Sequence, residues 1–423
     1  IVSCIIAATF HIGVGLSMAY SAILVPNLEK DSSEIHATEE ETSYIASLVV
    51  IVAPVGAFVN NYLMESFGRT RALQFGVLPF VAGWVMIATA PNVHTIMAGR
   101  MLAGLSTALA TSPAIVYITE VARPELRGSL ISFGPTLASL GMVLAYLEGF
   151  LLHWRIVAWL SLVFGILPVF LVQIFVPESP VWLVSKGRFE QARKSLERLY
   201  QSKPCAGKVS AAEAAYTTIV KENEIKLSEQ RRSKHGAGNA SKLRALLRPT
   251  GWKPMLILFL LFSFQQFSGI YVTLFYAVTW FESVDPHHKF SYVASVLVGL
   301  TRFFCSMVNT VLMRRFPRRV LCIVSSIGMA VCMAVSGYFT MIIGPLKDRD
   351  VPVPAWMGYI VVACLLLYVC TSMIGMLTIP WTMTAELFPT EIRGMAHSIS
   401  FSMANILMFI AVQNYRNLKN FLG

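Results

Sequence analysis

The chain has 423 residues, of which 55% are hydrophobic and 13% are charged, and its mean hydropathy is +0.62. This composition excludes the ordinary soluble classes, because apolar runs long enough to cross about 30 Å of hydrocarbon recur along the sequence. The formal net charge of +11 is explained by basic loops at an anionic membrane leaflet, since no basic segment carries the interleaved aromatic residues of a nucleic-acid groove.

Eleven apolar runs follow one another along the chain. Backbone amides in lipid must find hydrogen-bond partners within their own segment, and each run is far longer than a barrel strand, so the runs are predicted to be helices. The predicted fold class is therefore an all-α polytopic membrane protein. The predicted spans are 3–25, 43–64, 72–90, 95–119, 129–151, 156–176, 254–281, 290–313, 319–343, 356–385 and 395–414.

A repeated element divides the chain into two homologous blocks. The segment Glu120–Gly128 (EVARPELRG) recurs as Glu386–Gly394 (ELFPTEIRG), and each copy closes one apolar run and opens the next. Such duplication is typical of transporters. We predict an N-terminal bundle at 1–176, a polar linker at 177–251 and a C-terminal bundle at 252–423. The odd number of spans predicts that a twelfth span is missing, and the start at Ile1, without a methionine and inside an apolar run, predicts a fragment that lacks its natural N-terminus.

The distribution of Lys and Arg predicts the orientation of the chain, since basic loops remain cytoplasmic. Residues 177–253 hold 16 Lys and Arg against 7 acids, and the loop 314–319 (RRFPRR) is almost purely basic. Residues 27–41, by contrast, hold six acids and one Lys. The linker is therefore predicted to be cytoplasmic, and helix-forming runs such as 189–200 indicate short amphipathic helices on the membrane face.

Cysteine usage gives no sign of a disulfide framework or a metal site. The seven cysteines lie in apolar spans or in the linker, and none forms a CxxC pair. They are interpreted as packing residues, so neither a metal nor a cofactor is predicted.

Seven short motifs occur in a fixed order along the chain. Through their order and spacing, the chain resembles the sugar porters of the major facilitator superfamily over essentially its whole length. In detail it is most similar to the arthropod branch of facilitated trehalose and hexose transporters. The motifs are FGRTR at 67–71, GRMLAG at 99–104, YITEVARPELRG at 117–128, PESPVWLVSKGR at 177–188, QQFSG at 265–269, IPW at 379–381 and ELFPTEIRG at 386–394.

The resemblance implies both a fold and a function. The implied fold is the major facilitator fold, with two pseudo-symmetric six-helix bundles, eleven spans of which are present, around a sugar site at mid-membrane. The implied function is facilitative uniport of a neutral sugar, trehalose or a hexose, through the plasma membrane by alternating access, and not an enzymatic reaction. The implied partners are a small-molecule sugar and the lipid bilayer, with no nucleic acid, and the oligomeric state stays open.

Polar side chains in the seventh span supply the chemistry that a sugar needs. Each unmatched hydroxyl buried in a dry site costs about 1–3 kcal/mol, so neutral amide and hydroxyl partners and an aromatic platform are required. Gln265, Gln266 and Ser268 supply such groups, and Gln265, Gly269 and Tyr276 share one helical face by their spacing. We predict that the two glutamines, Ser268 and Tyr276 bind substrate. The alternative is that these polar side chains join helices to one another.

An aromatic residue in the tenth span is a further candidate. Trp381 follows Pro380, and a proline there removes a backbone hydrogen bond and permits a kink. The resemblance makes Trp381 the floor of the sugar pocket and Pro380 part of a segment that moves. The alternative is that Trp381 is a packing residue or an anchor at the membrane interface.

Two positions depart from the family pattern. Tyr271 and Arg302 stand where asparagine is usual. Pro135-Thr136 stands where many glucose transporters carry glutamine, a detail of the similarity to the arthropod branch. Arg302 lies 13 residues before Arg315, which places it about 20 Å from the cytoplasmic surface, and an intramembrane charge is a functional residue by default. Tyr271 and Arg302 are therefore predicted to contact substrate. Three alternatives stay open: that carbonyls freed near Gly269 and glutamine side chains satisfy Arg302, that Arg302 binds an anionic organic solute, and that the protein is a sugar sensor that does not transport.

The first span bears on the driving force. Residues 1–26 contain no Asp or Glu, whereas proton-coupled relatives typically carry a carboxylate in this helix, so a uniporter is favoured. His11 leaves proton symport open as an alternative. For His11 itself we favour a hydrogen bond between helices.

Opposite charges at helix ends are predicted to form a cytoplasmic gate. In the family such residues hold the two bundles together when the site faces outward. Surface ion pairs of about 0–1 kcal/mol each can bias two states without freezing either. The alternative is that some of these charges only stabilise turns, and the loop 314–319 departs from the family pattern through Arg314 and Pro317. The predicted gating residues are Arg69, Arg71, Glu120, Arg127, Glu178, Arg318, Arg319, Glu386 and Arg393.

Overall fold

All regular structure in the described residues is helical. Eleven helical segments are long and apolar enough to cross a membrane, and each overlaps one of the eleven spans predicted from the sequence. The all-α polytopic fold class is therefore confirmed. The computed structural model describes residues 1–29, 35–200, 211–234, 248–284, 288–348, 354–388 and 393–422.

The crossing segments are called spans 1 to 11 in chain order. Spans 1 to 6 form the N-terminal half, and spans 7 to 11 form the C-terminal half. Their bounds are Val2–Leu28, Glu39–Phe67, Arg69–Ala88, Val93–Val121, Glu125–Leu151, Trp154–Phe175, Pro249–Phe275, Ser291–Arg315, Arg318–Ile343, Trp356–Thr384 and Ala396–Gln413.

Local capping signals set where the helices of the N-terminal half begin. Thr38 and Glu41 form a capping box at the start of span 2, and the Asn92 side chain accepts a hydrogen bond from the Thr95 amide at 2.9 Å before span 4. Spans 1, 2 and 3 each consist of two helices. The helices are Val2–Ala8, Phe10–Leu28, Glu39–Ile51, Ala53–Phe67, Arg69–Phe75, Val77–Ala88, Val93–Val121, Pro124–Leu151 and Trp154–Phe175.

Two spans of the C-terminal half are broken near their middles. Span 7 breaks at Gly269, whose φ of 87° lies in the left-handed region that glycine adopts without strain. Span 10 is non-helical over residues 375–378, just before Pro380. The helices of this half are Pro249–Phe267, Ile270–Phe275, Ala277–Val284, His288–Arg315, Arg318–Asp348, Ala355–Ile374, Ile379–Glu386, Arg393–Gln413 and Tyr415–Leu422.

Glycines bring spans 1 and 5 into direct backbone contact. A Cβ atom on Gly15 would lie 1.9 Å from the Ala138 carbonyl oxygen, and one on Gly141 would lie 2.1 Å from the Ile12 carbonyl oxygen. Only glycine allows this approach, which is a common way for helices to pack in membranes.

The two halves share one apolar core. Span 1 contacts the second helix of span 7, span 2 contacts span 11, and span 5 contacts span 8. The largest cluster of buried side chains includes Tyr20, Trp84 and Tyr146 from the N-terminal half together with Phe275 and Tyr368 from the C-terminal half. The second helix of span 7 therefore lies where the halves meet.

Helices also occupy the described part of the stretch between the halves. The Trp182 indole N–H donates to the Glu65 carbonyl oxygen at 3.1 Å, which joins this stretch to the end of span 2. Arg193 and Glu213 form an ion pair at 3.1 Å between two of its helices. The helices are Pro180–Ser185, Phe189–Tyr200 and Ala211–Lys234.

Candidate functional site

The break in span 7 is stabilised by local hydrogen bonds and by span 10. The Ser268 hydroxyl donates to the Gln265 carbonyl oxygen at 2.7 Å, so Ser268 completes the last turn of the first helix. The Tyr368 hydroxyl of span 10 donates to the Ser268 carbonyl oxygen at 2.7 Å. The Thr273 hydroxyl donates to the Gly269 carbonyl oxygen at 2.8 Å. These bonds supply partners for backbone groups that a break exposes.

Gln265 joins the broken parts of spans 7 and 10. Its side chain has no exposed surface, and its amide nitrogen donates to the carbonyl oxygens of Met376 at 2.8 Å and Leu377 at 2.9 Å. Both acceptors lie in the non-helical segment 375–378, where carbonyls have no partner within their own helix. The geometry of Gln265 thus matches the alternative reading from the sequence, in which it joins helices.

The Gln266 side chain is less well hydrogen-bonded than that of Gln265. It is also buried, with 1% of its surface exposed, but its amide nitrogen makes only a long bond of 3.4 Å to the Gln265 side-chain oxygen. Its own side-chain oxygen is buried and has no hydrogen-bond partner among the described residues. A buried acceptor without a donor is costly, so this oxygen needs a partner that the described residues do not provide.

Trp381 lies within an aromatic cluster. Its ring is edge-on to Phe262 of span 7, with centroids 5.0 Å apart, and to Phe401 of span 11, with centroids 5.7 Å apart. The side chain is half-buried. Trp381 therefore contacts other spans of its half and leaves part of its surface free to contact a ligand.

Tyr271 connects Trp381 to the charge in span 8. It is 6% exposed, and both the Trp381 and Arg302 side chains lie within interaction range of its hydroxyl. Arg302 also lies near Tyr146 of span 5, whose hydroxyl donates to the Leu274 carbonyl oxygen of span 7 at 3.0 Å. Residues from spans 5, 7, 8 and 10 thus meet around Arg302, at the boundary between the halves.

Tyr276 lies apart from the glutamine pair. It follows the helix Ile270–Phe275, and its ring stacks on Tyr415, with centroids 5.3 Å apart, below the guanidinium of Arg416 at 5.6 Å. The continuous helical face expected for Gln265, Gly269 and Tyr276 is wrong, because the break at Gly269 interrupts the helical register. A substrate contact of Tyr276 stays a prediction.

Contacts between the halves are concentrated at the end of span 1. Arg416 forms an ion pair with Glu29, the Ser47 hydroxyl donates to the Gln413 side-chain oxygen at 2.6 Å, and the Asn27 amide donates to the Tyr292 hydroxyl at 3.4 Å. Nearer the membrane centre, the hydroxyls of Thr136 and Ser306 lie 3.0 Å apart between spans 5 and 8. The halves are therefore joined at this end and at the centre.

At the opposite end, three of the predicted gating residues meet within the N-terminal half. Arg69 holds Glu120 through both carboxylate oxygens, at 2.7 to 3.1 Å. Glu178 accepts hydrogen bonds from the backbone N–H groups of Arg69 at 2.9 Å and Thr70 at 3.2 Å, at the start of span 3. Ser179 donates to Glu120 at 2.5 Å. In this structure these charges cap a helix and tie spans 3 and 4 to the linker, as the turn-stabilising alternative states.

The remaining predicted gating residues are less constrained. Arg71, Arg127 and Arg319 are exposed, and Arg318 donates to the Met313 carbonyl oxygen at 2.5 Å within its own loop. The predicted roles of two further residues concern side chains outside the described part of the structure. These are Glu386 and Arg393.

Two polar residues of the bundle interior are not among those predicted from the sequence. Arg100 in span 4 has no exposed surface, and it donates to the Ile45 carbonyl at 3.2 Å, to the Ser17 carbonyl at 2.7 Å and to the Ser21 hydroxyl. Asn309 of span 8 bonds the Thr378 hydroxyl at 3.0 Å, at the break in span 10. For Arg100 the signal was a charge inside an apolar run, the same signal that identified Arg302.

Within the part of the chain that the structure describes, His11 does not form the expected hydrogen bond to another helix. Its Nδ1 lies 3.1 Å from the Ala8 carbonyl oxygen within span 1, and its ring packs against span 5, where a Cβ on Gly134 would lie 2.9 Å from Nε2. That interpretation is therefore wrong: the contact of His11 with another helix is steric packing.

Comparison with known proteins identifies the family. Residues 4–423 match the sequence profile of the family described as "Sugar (and other) transporter". The chain belongs to this sugar transporter family. The resemblance found in the sequence motifs is thus confirmed, and the protein is a multi-pass membrane transporter.

Individual members of the sugar transporter family align along nearly the whole chain. The facilitated trehalose transporter Tret1 of Bombyx mori is 33% identical over 413 residues, which cover 96% of this chain and 75% of that protein. Solute carrier family 2, facilitated glucose transporter member 8, of Bos taurus is 29% identical over 432 residues, covering 98% of this chain and 84% of that protein.

A solved structure shares the fold. The partially occluded inward open conformation of the xylose transporter XylE from E. coli superposes with a TM-score of 0.76 at 21% identity, covering 98% of this chain and 90% of that chain. The major facilitator fold expected from the sequence is confirmed.

Proposed function

We propose that this sugar transporter is a facilitative uniporter of a neutral sugar, trehalose or a hexose, that works by alternating access in the plasma membrane. The names of the relatives from Bombyx mori and Bos taurus support trehalose and glucose as substrates. The chemistry of the buried residues supports a neutral, hydroxyl-rich ligand.

The observation that carries the proposal is the side-chain oxygen of Gln266. It is buried without a hydrogen-bond partner among the described residues, in span 7 immediately before the break at Gly269. A sugar hydroxyl is a neutral donor of the right kind for this oxygen, and binding would relieve the cost of an unsatisfied acceptor. Gln265 holds the broken segment of span 10 in place beside it.

Aromatic residues complete the proposed site. Trp381 presents part of a rigid ring, and Tyr271 lies near both Trp381 and Arg302. Aromatic faces bind the apolar C–H face of a pyranose while the amides bind its hydroxyls. Ser268 serves the site indirectly, because its hydroxyl is used within span 7, and Tyr276 acts at the closed end near Arg416.

Alternating access is supported by where the halves touch. The pairs Glu29–Arg416 and Ser47–Gln413 join the halves at one end, while Arg69 at the other end pairs within its own half. This arrangement is that of a carrier closed on the side of Glu29. In the opposite state the proposed gating charges at the Arg69 end join the halves instead.

We place the linker, residues 177–251, in the cytoplasm because of its basic composition. Six crossings return the chain to the side on which span 1 begins, so the end of span 1 at Leu28 faces the opposite side. The contacts of Glu29 then close the extracellular entrance, and the carrier is open toward the cytoplasm.

Uniport is supported by the distribution of acids. In the described spans every Asp or Glu lies within three residues of a span end, so no carboxylate at mid-membrane is available to carry a proton. The buried Arg100 is satisfied by carbonyl and hydroxyl oxygens and needs no carboxylate partner. The His11 ring is packed against Gly134.

The test is flux through the full chain reconstituted in lipid vesicles. Labelled trehalose and glucose should enter down their gradients, and preloaded unlabelled sugar should accelerate entry of the label. An imposed proton gradient should leave the initial rate unchanged, because no proton is carried. Sugar binding without flux would instead establish a sensor, and uphill accumulation driven by the proton gradient would overturn uniport.

A further inference from the structure

Arg302 lies deep in the membrane beside the proposed sugar site. It is 13 residues from Arg315 at the end of its helix, a distance of about 20 Å along the axis. Its neighbours Tyr146 and Tyr271 belong to span 5 of one half and span 7 of the other. The guanidinium therefore faces the boundary between the halves and not the lipid.

No acid among the described residues forms an ion pair with Arg302. The Arg302 Nε is buried without a hydrogen-bond partner, and none of the ion pairs among the described residues includes Arg302. Glu148 is two residues from Tyr146 in span 5, and two residues turn a helix by about 200°, so it lies on another face. Tyr271 and Tyr146 are the titratable neighbours of Arg302 among the residues that the structure describes.

The tyrosines do not replace an acid. The Tyr146 hydroxyl proton is donated to the Leu274 carbonyl oxygen at 3.0 Å, and Tyr271 lies near both Arg302 and Trp381. A neutral phenol carries no charge to balance a guanidinium. Arg302 is half-buried and its Nε is fully buried; a guanidinium removed from water in this way without a counter-charge is costly to the protein, and the proposed site beside it opens to solvent during transport.

We propose that Arg302 gives the site a second substrate class: sugars that carry one carboxylate, such as hexuronates. The location of the site rests on the proposed function. A carboxylate matches the planar fork of a guanidinium through two parallel hydrogen bonds. One arginine balances one negative charge, which favours a carboxylate over a phosphate that carries nearly two. The sugar ring then occupies the same place as a neutral sugar, between Gln266 and Trp381.

The test compares D-glucuronate with D-glucuronamide, which has the same size but no charge. Both are used at pH 7 as competitors of labelled glucose uptake and as ligands that protect the purified protein against thermal unfolding. Glucuronate should bind about tenfold more tightly than the amide, as expected for one charge-assisted contact. Equal or weaker binding of glucuronate to the wild-type protein would overturn the proposal.

Substitutions assign the preference to Arg302. In Arg302→Gln the ratio of the two affinities should fall to about one, and in Arg302→Lys part of the preference should return, because the charge is kept without the fork. Arg315→Gln, at the exposed end of the same span, is the matched control and should keep the wild-type ratio. An unchanged ratio in Arg302→Gln would also overturn the proposal.

The two proposals fail in different ways. If neither trehalose nor glucose enters the vesicles, the proposed transport function fails, while thermal protection by glucuronate still tests Arg302. If neutral sugars are transported but glucuronate neither competes with them nor protects the protein better than the amide, the transport function stands and the assignment of Arg302 fails.

Discussion

Ser47 donates its hydroxyl to the side-chain oxygen of Gln413 across 2.6 Å, and this bond joins span 2 of one half to span 11 of the other. The Thr42 hydroxyl donates to Glu29 at 2.7 Å, and Glu29 pairs with Arg416. The halves are thus joined at this end by a few partly buried polar bonds, each weak enough to break in the transport cycle that we propose.

Weakening this closure should expose the site from the Glu29 side. Glu29→Gln removes one charge of the ion pair with Arg416 and shifts the balance toward the open state. With a loss of about 0.5–1 kcal/mol, the open population rises about two- to fivefold. The measurement is the rate at which a membrane-impermeant maleimide labels Ser43→Cys, which lies beside Tyr276.

Glu40→Gln is the control for that experiment, because Glu40 is an exposed acid at the same end of span 2. It should leave the labelling rate unchanged. Equal labelling in the two variants would show that the ion pair does not hold this end closed.

Gly68→Ala should destabilise the fold. Gly68 has a φ of 101°, and a Cβ there would lie 2.4 Å from the Glu178 carboxylate oxygen that caps span 3. Backbone strain together with the displaced cap costs about 1–3 kcal/mol, measured as a lower midpoint of thermal unfolding. Gly337→Ala meets no atom within 4 Å and should not lower the midpoint. Identical midpoints for the two variants would contradict the role of Glu178.

Substitutions of the two adjacent glutamines should have different effects, one mainly on thermal stability and the other mainly on sugar binding. Gln265→Leu leaves the Met376 and Leu377 carbonyls without their donor, which costs about 1–3 kcal/mol and lowers the thermal midpoint. Gln266→Leu removes an unpartnered acceptor and one long bond of 3.4 Å to the Gln265 side-chain oxygen, so it should lower the midpoint less than Gln265→Leu and raise the KM for sugar uptake about tenfold. Gln173→Leu, on an exposed surface, serves as control. An unchanged KM in Gln266→Leu would remove this residue from the site.

Arg100→Lys should weaken the N-terminal half. A lysine ammonium cannot serve the Ile45, Ser17 and Ser21 oxygens in the fork geometry of the guanidinium, and the lost bonds are worth about 1–3 kcal/mol. Thermal unfolding of the purified variant measures the loss. The same exchange at the exposed Arg315 is the comparison, and equal stability of the two variants would show that the Arg100 bonds are dispensable.

The spans could be predicted because apolar length is a property of the local sequence. The bilayer requires about twenty apolar residues and internally bonded backbone, and both are visible without tertiary information. The sequence also indicated that the helix of span 7 could bend at Gly269. The partners of Gln265 were not, because they exist only where span 10 becomes non-helical at residues 375–378, and a tertiary contact stabilises that break.

Contacts between residues of the site that lie far apart in the sequence could not be predicted. Helical rise placed Arg302 deep in the membrane, but Tyr146, its neighbour from span 5, follows from how the halves pack. The register argument for Tyr276 failed because it assumed an unbroken helix. The Ser47–Gln413 bond links residues 366 positions apart and has no local sequence pattern.

The side-chain amide of Gln265, in the last turn before the break in span 7, donates hydrogen bonds to the non-helical segment 375–378 of span 10. A bend at either break would stretch these two hydrogen bonds, so the breaks in spans 7 and 10 are mechanically coupled. Under the proposed function, a sugar bound at Gln266, the next residue in the chain, would act on both breaks at once and so couple binding to the conformation of the C-terminal half.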